Sequence, residues 1–175
     1  FQINTLFPQL TAIEAVVLAV SERRGLARNF WRGLTAFPDA GDEAYVILKS
    51  LSLGDAATRL TRELPYGQQR LLEIALALAT RPKVLLLDEP ATGVDRLGEV
   101  DLYRHLEAYQ EETGATILMI THDWEAAHHA SHVLVLNRRV IGFGPPERAL
   151  SEECLRQAFG HLGHEHALFL GGGRA

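Results

Sequence analysis

The spacing of apolar positions changes once along the chain, near residue 80. Before it, apolar residues recur at helical intervals. Thr11 is placed to cap a helix over 12–20, Asp42 leads into a second over 43–51, and Gly67 opens a third whose Leu71, Leu72, Ile74, Ala75 and Leu78 share one face. Between the first two, residues 25–41 hold several glycines with Phe30, Trp31, Phe37 and Pro38, a composition that predicts an irregular connection. From Lys83 onward short aliphatic runs alternate with longer amphipathic stretches. Strands are expected over 84–88, 115–120, 132–136 and 140–143, with helices over 97–112 and 123–130. Asn137-Arg138-Arg139 reads as a hairpin turn, and Gly144-Pro145-Pro146 ends the strands before a short C-terminal helix. The pattern predicts an α/β fold with a helical subdomain over 1–80, a strand-and-helix core over 81–160 and a flexible His/Gly tail over 161–175.

The run Val84-Leu85-Leu86-Leu87 ends in Asp88-Glu89 and is bounded by Pro82 and Pro90. So short an apolar run reads as a fully buried central strand, whose C-terminal end delivers two carboxylates to a crevice. The first acid can hold Mg²⁺ directly or through water. The next, pointing the other way, can orient and deprotonate a water aimed at a γ-phosphate. Taken alone, the run is equally readable as a buried strand that ends in two solvated acids.

The composition is that of a globular domain: 47% hydrophobic and 22% charged over 175 residues. A net charge of −5 argues against a phosphate-tracking nucleic-acid binder, so no nucleic-acid partner is expected. The lone Cys154 excludes an internal disulfide and reads as a small buried apolar residue. No apolar run approaches the roughly 20 residues of a bilayer span. The best candidate, 12–20, is interrupted by Glu14, so attachment to a membrane would come through a partner.

Three further segments fall in a telling order. Leu64-Pro65-Tyr66-Gly67-Gln68 opens the third helix, Thr121-His122-Asp123 closes the strand that follows the Asp-Glu pair, and Phe1-Gln2 stands at the start. With Asp88-Glu89, this set resembles the nucleotide-binding subunit of an ATP-binding cassette (ABC) transporter, over residues 1 to about 160. The resemblance implies a P-loop NTPase-like ABC ATPase fold. In it Gln2 is the Q-loop glutamine, residues 64–68 the signature, 84–89 the Walker B strand, Gly93-Val94-Asp95 the D-loop and His122 the switch histidine. It assigns Glu89 and His122 to catalysis. Gln2, Pro65, Tyr66, Gly67, Gln68 and Asp95 go to ATP, and Asp88 and Gln2 to Mg²⁺.

A helix N-terminus presents unsatisfied amides and the positive end of a dipole, so Gly67 is placed to meet an anion with little steric obstruction. The family's usual Ser-Gly-Gly is here Pro65-Tyr66-Gly67, which loses a hydroxyl and an amide donor. His122 at a strand end can reach a γ-phosphate. His128 and His129 are expected on a helix surface. His161, His164 and His166 read as a solvated tail, with transition-metal binding as the other reading.

The family's phosphate loop, GxxGxGK[ST], does not occur in these 175 residues. The chain is therefore expected to be the C-terminal part of a longer subunit, without its N-terminal strands and Walker A motif. Implied partners are membrane permease subunits, a second ATP-binding subunit in a head-to-tail dimer and, indirectly, a solute-binding protein. The implied location is the cytoplasmic face of the inner membrane. Phe7, Trp31 and Gln2 would face the permease. The head-to-tail expectation places the signature far from its own Walker B strand, and the lack of covering strands predicts poor solubility.

Tyr-Gly-Gln-Gln and Leu-Leu-Glu-Ile-Ala resemble the branched-chain amino acid uptake branch, whereas residues 133–146 resemble manganese or zinc uptake ATPases. A recombination-type ATPase would carry a long coiled coil between Gln2 and Leu64, where no heptads occur. A non-catalytic remnant is the other alternative.

Overall fold

The computed structural model describes residues 7–26 and 38–160. Gln2, Phe30, Trp31, Phe37, His161, His164 and His166, all named above, lie outside these residues. The chain divides into two units, residues 1–122 and 123–175. The division falls well after the change of pattern at residue 80, because the first strands pack in the same unit as the helices.

Helix α1 (Ala12–Arg23) begins where Thr11 predicts. The Thr11 hydroxyl accepts the Glu14 N–H, and the Glu14 carboxylate accepts the Thr11 N–H at 2.8 Å, a reciprocal cap. Helix α2 (Pro38–Ser50) starts earlier than expected and takes in Asp42 as an interior residue. Proline has a φ ready-made for the first helical position, and Ala40, Ala44 and Leu48, all fully buried, recur every four residues from that start. Helix α3 (Tyr66–Ala79) buries Leu71, Leu72, Ile74, Ala75 and Leu78, the face its sequence marks.

These three helices pack on one another around Val16, Val20, Leu48 and Leu72. Glu43 of α2 clasps the group from one side. Its carboxylate accepts Arg23 at 2.7 and 2.8 Å and Arg81 at 3.1 Å, and it also bonds Arg24. Burial on its own would raise the Glu43 pKa, but the hydrogen bonds and charges of Arg23 and Arg24 outweigh it and hold the group below its ordinary value.

Strand β1 (Val84–Asp88) and strand β2 (Thr116–Ile120) pair in parallel from Val84 opposite Thr116 to Asp88 opposite Ile120. Helix α4 (Arg96–Thr113) connects them and ends on Gly114 at φ 67°, a left-handed cap. The expectation of a fully buried β1 does not hold. Leu85 and Leu87 are buried, while Val84 is 65% and Leu86 47% exposed, and Leu118 and Ile120 of β2 are likewise open. Successive strand side chains point to opposite faces, and the described residues cover only one of them.

The second unit contains α5 (Trp124–His128), the antiparallel hairpin β3 (Val133–Asn137) and β4 (Arg139–Gly144), α6 (Pro146–Ala149) and α7 (Glu152–Phe159). The expected three-residue turn tightens to Arg138 alone, at φ 57°. Val135, Ala149 and Ala158 form its core, and Trp124 meets Phe159 edge to face at 5.3 Å. Cys154 is half-buried, with Sγ 3.9 Å from the Arg148 carbonyl. His128 and His129 are exposed, as expected. No helix of the described residues is long and apolar enough to cross a membrane.

Candidate functional site

Asp88, the last residue of β1, is exposed at the C-terminal end of the parallel pair. Glu89 leaves the strand with φ 45°, a left-handed conformation uncommon for a residue with a side chain. Its N–H still reaches across to the Ile120 carbonyl at 2.9 Å, so the ladder pins the turn at its root. The parallel register brings Glu89 beside the end of β2, where His122 follows. Glu89 Oε1 accepts the His122 backbone N–H at 3.0 Å and lies 2.6 Å from His122 Nδ1. With the carboxylate ionised, Nδ1 carries the hydrogen and donates it. One oxygen of Glu89 is thereby oriented by two donors from one residue. The Glu89 side chain is 33% exposed and that of His122 87%, so solvent reaches the pair.

After Glu89 the chain closes a compact turn. The Thr92 N–H bonds the Glu89 carbonyl at 3.1 Å and the Val94 N–H bonds the Ala91 carbonyl at 3.0 Å, with Gly93 at φ 79°. Asp95 caps α4: its Oδ1 accepts the Gly98 N–H at 3.0 Å. A methyl group at Gly98 would sit 2.7 Å from the Val94 side chain and 2.8 Å from Asp95 Oδ1, so glycine there keeps the cap closed. This structural duty of Asp95 went unread in the sequence, although Asp95 followed by an amphipathic run carries the signal for it.

The signature segment starts α3 without a side-chain cap, since Pro65 has none to offer. Gln69 compensates in part, sending its N–H to the Pro65 carbonyl at 3.0 Å and its Nε2 to the Leu64 carbonyl at 2.9 Å. Gln68 Oε1 is buried with no hydrogen-bond partner among the described residues. The Arg70 guanidinium lies 5.8 Å from the centre of the Tyr66 ring and pairs with Glu73 at 2.8 Å. The first turn of α3 packs on the turn that leaves β1, so closely that a methyl at Gly67 would overlap the Gly93 carbonyl oxygen. Part of the room made by Gly67 is thus taken up by the chain itself.

The structure brings Glu89 and His122 together, with Asp88 preceding them. It groups Tyr66 and Gly67 with Gly93, and Gln2 lies outside the described residues. The donor set suits Mg²⁺ bound with a nucleotide. No cluster of three His, Cys, Asp or Glu capable of a protein-only metal cage occurs among the described residues, and Mg²⁺ takes one or two carboxylates together with waters and phosphate oxygens.

The family model described as "ABC transporter" matches residues 1–92, and the chain belongs to that family. It is 36% identical to the high-affinity branched-chain amino acid transport ATP-binding protein BraF of Pseudomonas aeruginosa, over 85% of this chain and 61% of the relative. To the zinc import ATP-binding protein ZnuC of Cereibacter sphaeroides it is 38% identical, over 73% of this chain and 53% of the relative. The structure superposes on the dimeric ATP-binding cassette MJ0796 bound to ADP and Pi with a TM-score of 0.69 and 28% identity, covering 83% of this chain and 61% of that one. The chain therefore spans 53–61% of the length of these relatives.

Proposed function

We propose that the chain forms part of the ATP-hydrolysing subunit of an ABC importer, of the branched-chain amino acid type, working at the cytoplasmic face of the inner membrane. The observation that carries this reading is the Glu89 carboxylate, oriented by both donors of His122 beside Asp88. A carboxylate so held acts as the general base, taking the proton of a water aimed at the γ-phosphate. His122 keeps that oxygen in place. Asp88, with Gln2, would hold Mg²⁺, which when bound neutralises phosphate charge. Pro65, Tyr66, Gly67, Gln68 and Asp95 would face the nucleotide of a second subunit in a head-to-tail dimer. Membrane permease subunits would receive the motion, and a solute-binding protein would deliver the solute. The acidic net charge supports the exclusion of nucleic acid as a partner.

The amino-acid class rests on the BraF match and on Tyr66-Gly67-Gln68-Gln69. The ZnuC match favours zinc import as the second reading.

In the full-length subunit, Glu89→Gln is expected to keep ATP binding and to lower turnover by a factor on the order of 10²–10⁴, because an amide cannot accept the proton. Asp88→Asn should weaken the dependence on Mg²⁺. Turnover unchanged in Glu89→Gln would overturn the assignment. The 175-residue polypeptide alone, which contains no phosphate-loop lysine, is expected to release no phosphate from ATP above background. Robust release abolished by Glu89→Gln would reverse that expectation.

A further inference from the structure

Tyr66 and Gly93 fit each other in a way that the nucleotide chemistry does not require. At Gly93, φ 79°, an added methyl would lie 2.5 and 2.7 Å from two carbons of the Tyr66 ring. One edge of the ring therefore occupies the space that the missing side chain leaves, while Tyr66 as a whole stays 57% exposed. One residue on, the relation is reversed, since the bare α-carbon of Gly67 admits the Gly93 carbonyl. The Arg70 guanidinium lies near the Tyr66 ring and is itself held by Glu73. Interlocked this way, the first turn of α3 cannot slide along residues 89–95 without lifting the ring out of its seat. That turn starts at Glu89 and ends at Asp95, the cap of α4.

We infer that Tyr66 is a positioning residue, whose ring seated on Gly93 locks the signature helix to the 89–95 turn so that a displacement of the helical lobe is carried to Glu89. The inference rests on the function proposed above. It assigns Tyr66 a task within its own subunit, separate from any contact it makes across a dimer.

The test is a space exchange in the full-length subunit, read in two ways: hydrogen exchange at the Thr92 and Val94 amides without nucleotide, and ATPase kinetics. Tyr66→Gly should speed exchange at both amides and lower kcat by about ten- to a hundredfold, the scale of a small misplacement of a reacting group, with KM for ATP little changed. Tyr66→Phe, which keeps the ring, should protect both amides as the parent does. Gly93→Ala should be at least as damaging as Tyr66→Gly, because the methyl displaces the ring and alanine is strained at φ 79°. Combining Tyr66→Gly with Gly93→Ala relieves the overlap between methyl and ring while the strain of alanine at φ 79° remains, so the pair should lose less protection and kcat than the two single changes added together. Unaltered amide exchange in Tyr66→Gly, or a double variant whose loss equals the sum of the singles, would overturn the inference. A parent subunit without ATPase activity would remove the proposed function, and the exchange measurements would still decide whether the lock exists.

Discussion

The helices α1–α3 and the strands β1–β2 belong to one unit, yet they are covered very differently. In the helices, Val16, Val20, Leu48 and Leu72 are sealed away from solvent and Glu43 gathers three arginines across the group. In the strands, Val84, Leu86, Leu118 and Ile120 stand open on one face. A helix satisfies its backbone internally and needs one apolar stripe covered, which its neighbours in sequence supply. A strand needs partners at its sides and above and below, and these come from distant parts of a chain. The residues of the proposed chemistry, Asp88, Glu89 and His122, hang from the ends of the less covered pair. Stability and chemistry are thus assigned to different parts of the unit.

The contrast breaks most sharply under core truncation. Leu72→Ala should cost about 2–5 kcal/mol of unfolding free energy, through lost burial and the cavity left behind, measurable by denaturant titration. If it cost no more than an exposed-strand change, the helical group would not be the stable part.

Glu43→Gln comes next, at about 2 kcal/mol, less than a fully buried pair because its arginine partners are partly exposed. The folded pKa of Glu43 lies below the ordinary 4.5, so the unfolded chain binds the proton more readily. Its contribution is therefore complete above pH 4.5 and lost as pH falls through the folded value. Acid titrations should show the parent losing stability more steeply than Glu43→Gln below that pH.

Asp95→Ala should cost about 1 kcal/mol by removing the cap of α4, whereas Asp95→Asn should cost little, since asparagine caps equally well. Equal losses in the two would point to the charge rather than the cap.

The smallest effect belongs to the open sheet face. Leu86→Thr should change stability by no more than about 0.5 kcal/mol, while reducing self-association in sedimentation or light scattering. A large loss of stability there would mean that this face is covered in solution.

The sequence by itself determined what is local. Thr11 announced α1, the four-residue spacing from Leu71 to Leu78 announced α3, and the aliphatic run before Asp88-Glu89 announced β1 to the residue. The order of signature, acids and histidine was sufficient for the family, because each motif is a short run whose chemistry is written in adjacent residues. The start of α2 was obscured by Gly41 and Asp42, which resemble a break although buried Ala40 and Ala44 continue the helix across them.

Only the tertiary structure decided which segment meets which. It set Glu89 in a left-handed turn under His122, made Asp95 a cap, and seated Tyr66 on Gly93. An apolar run marks a side chain that seeks cover and a glycine marks a place of close approach, but neither names its partner. That choice is made by packing between residues far apart in the chain, whose free energy no single segment contains.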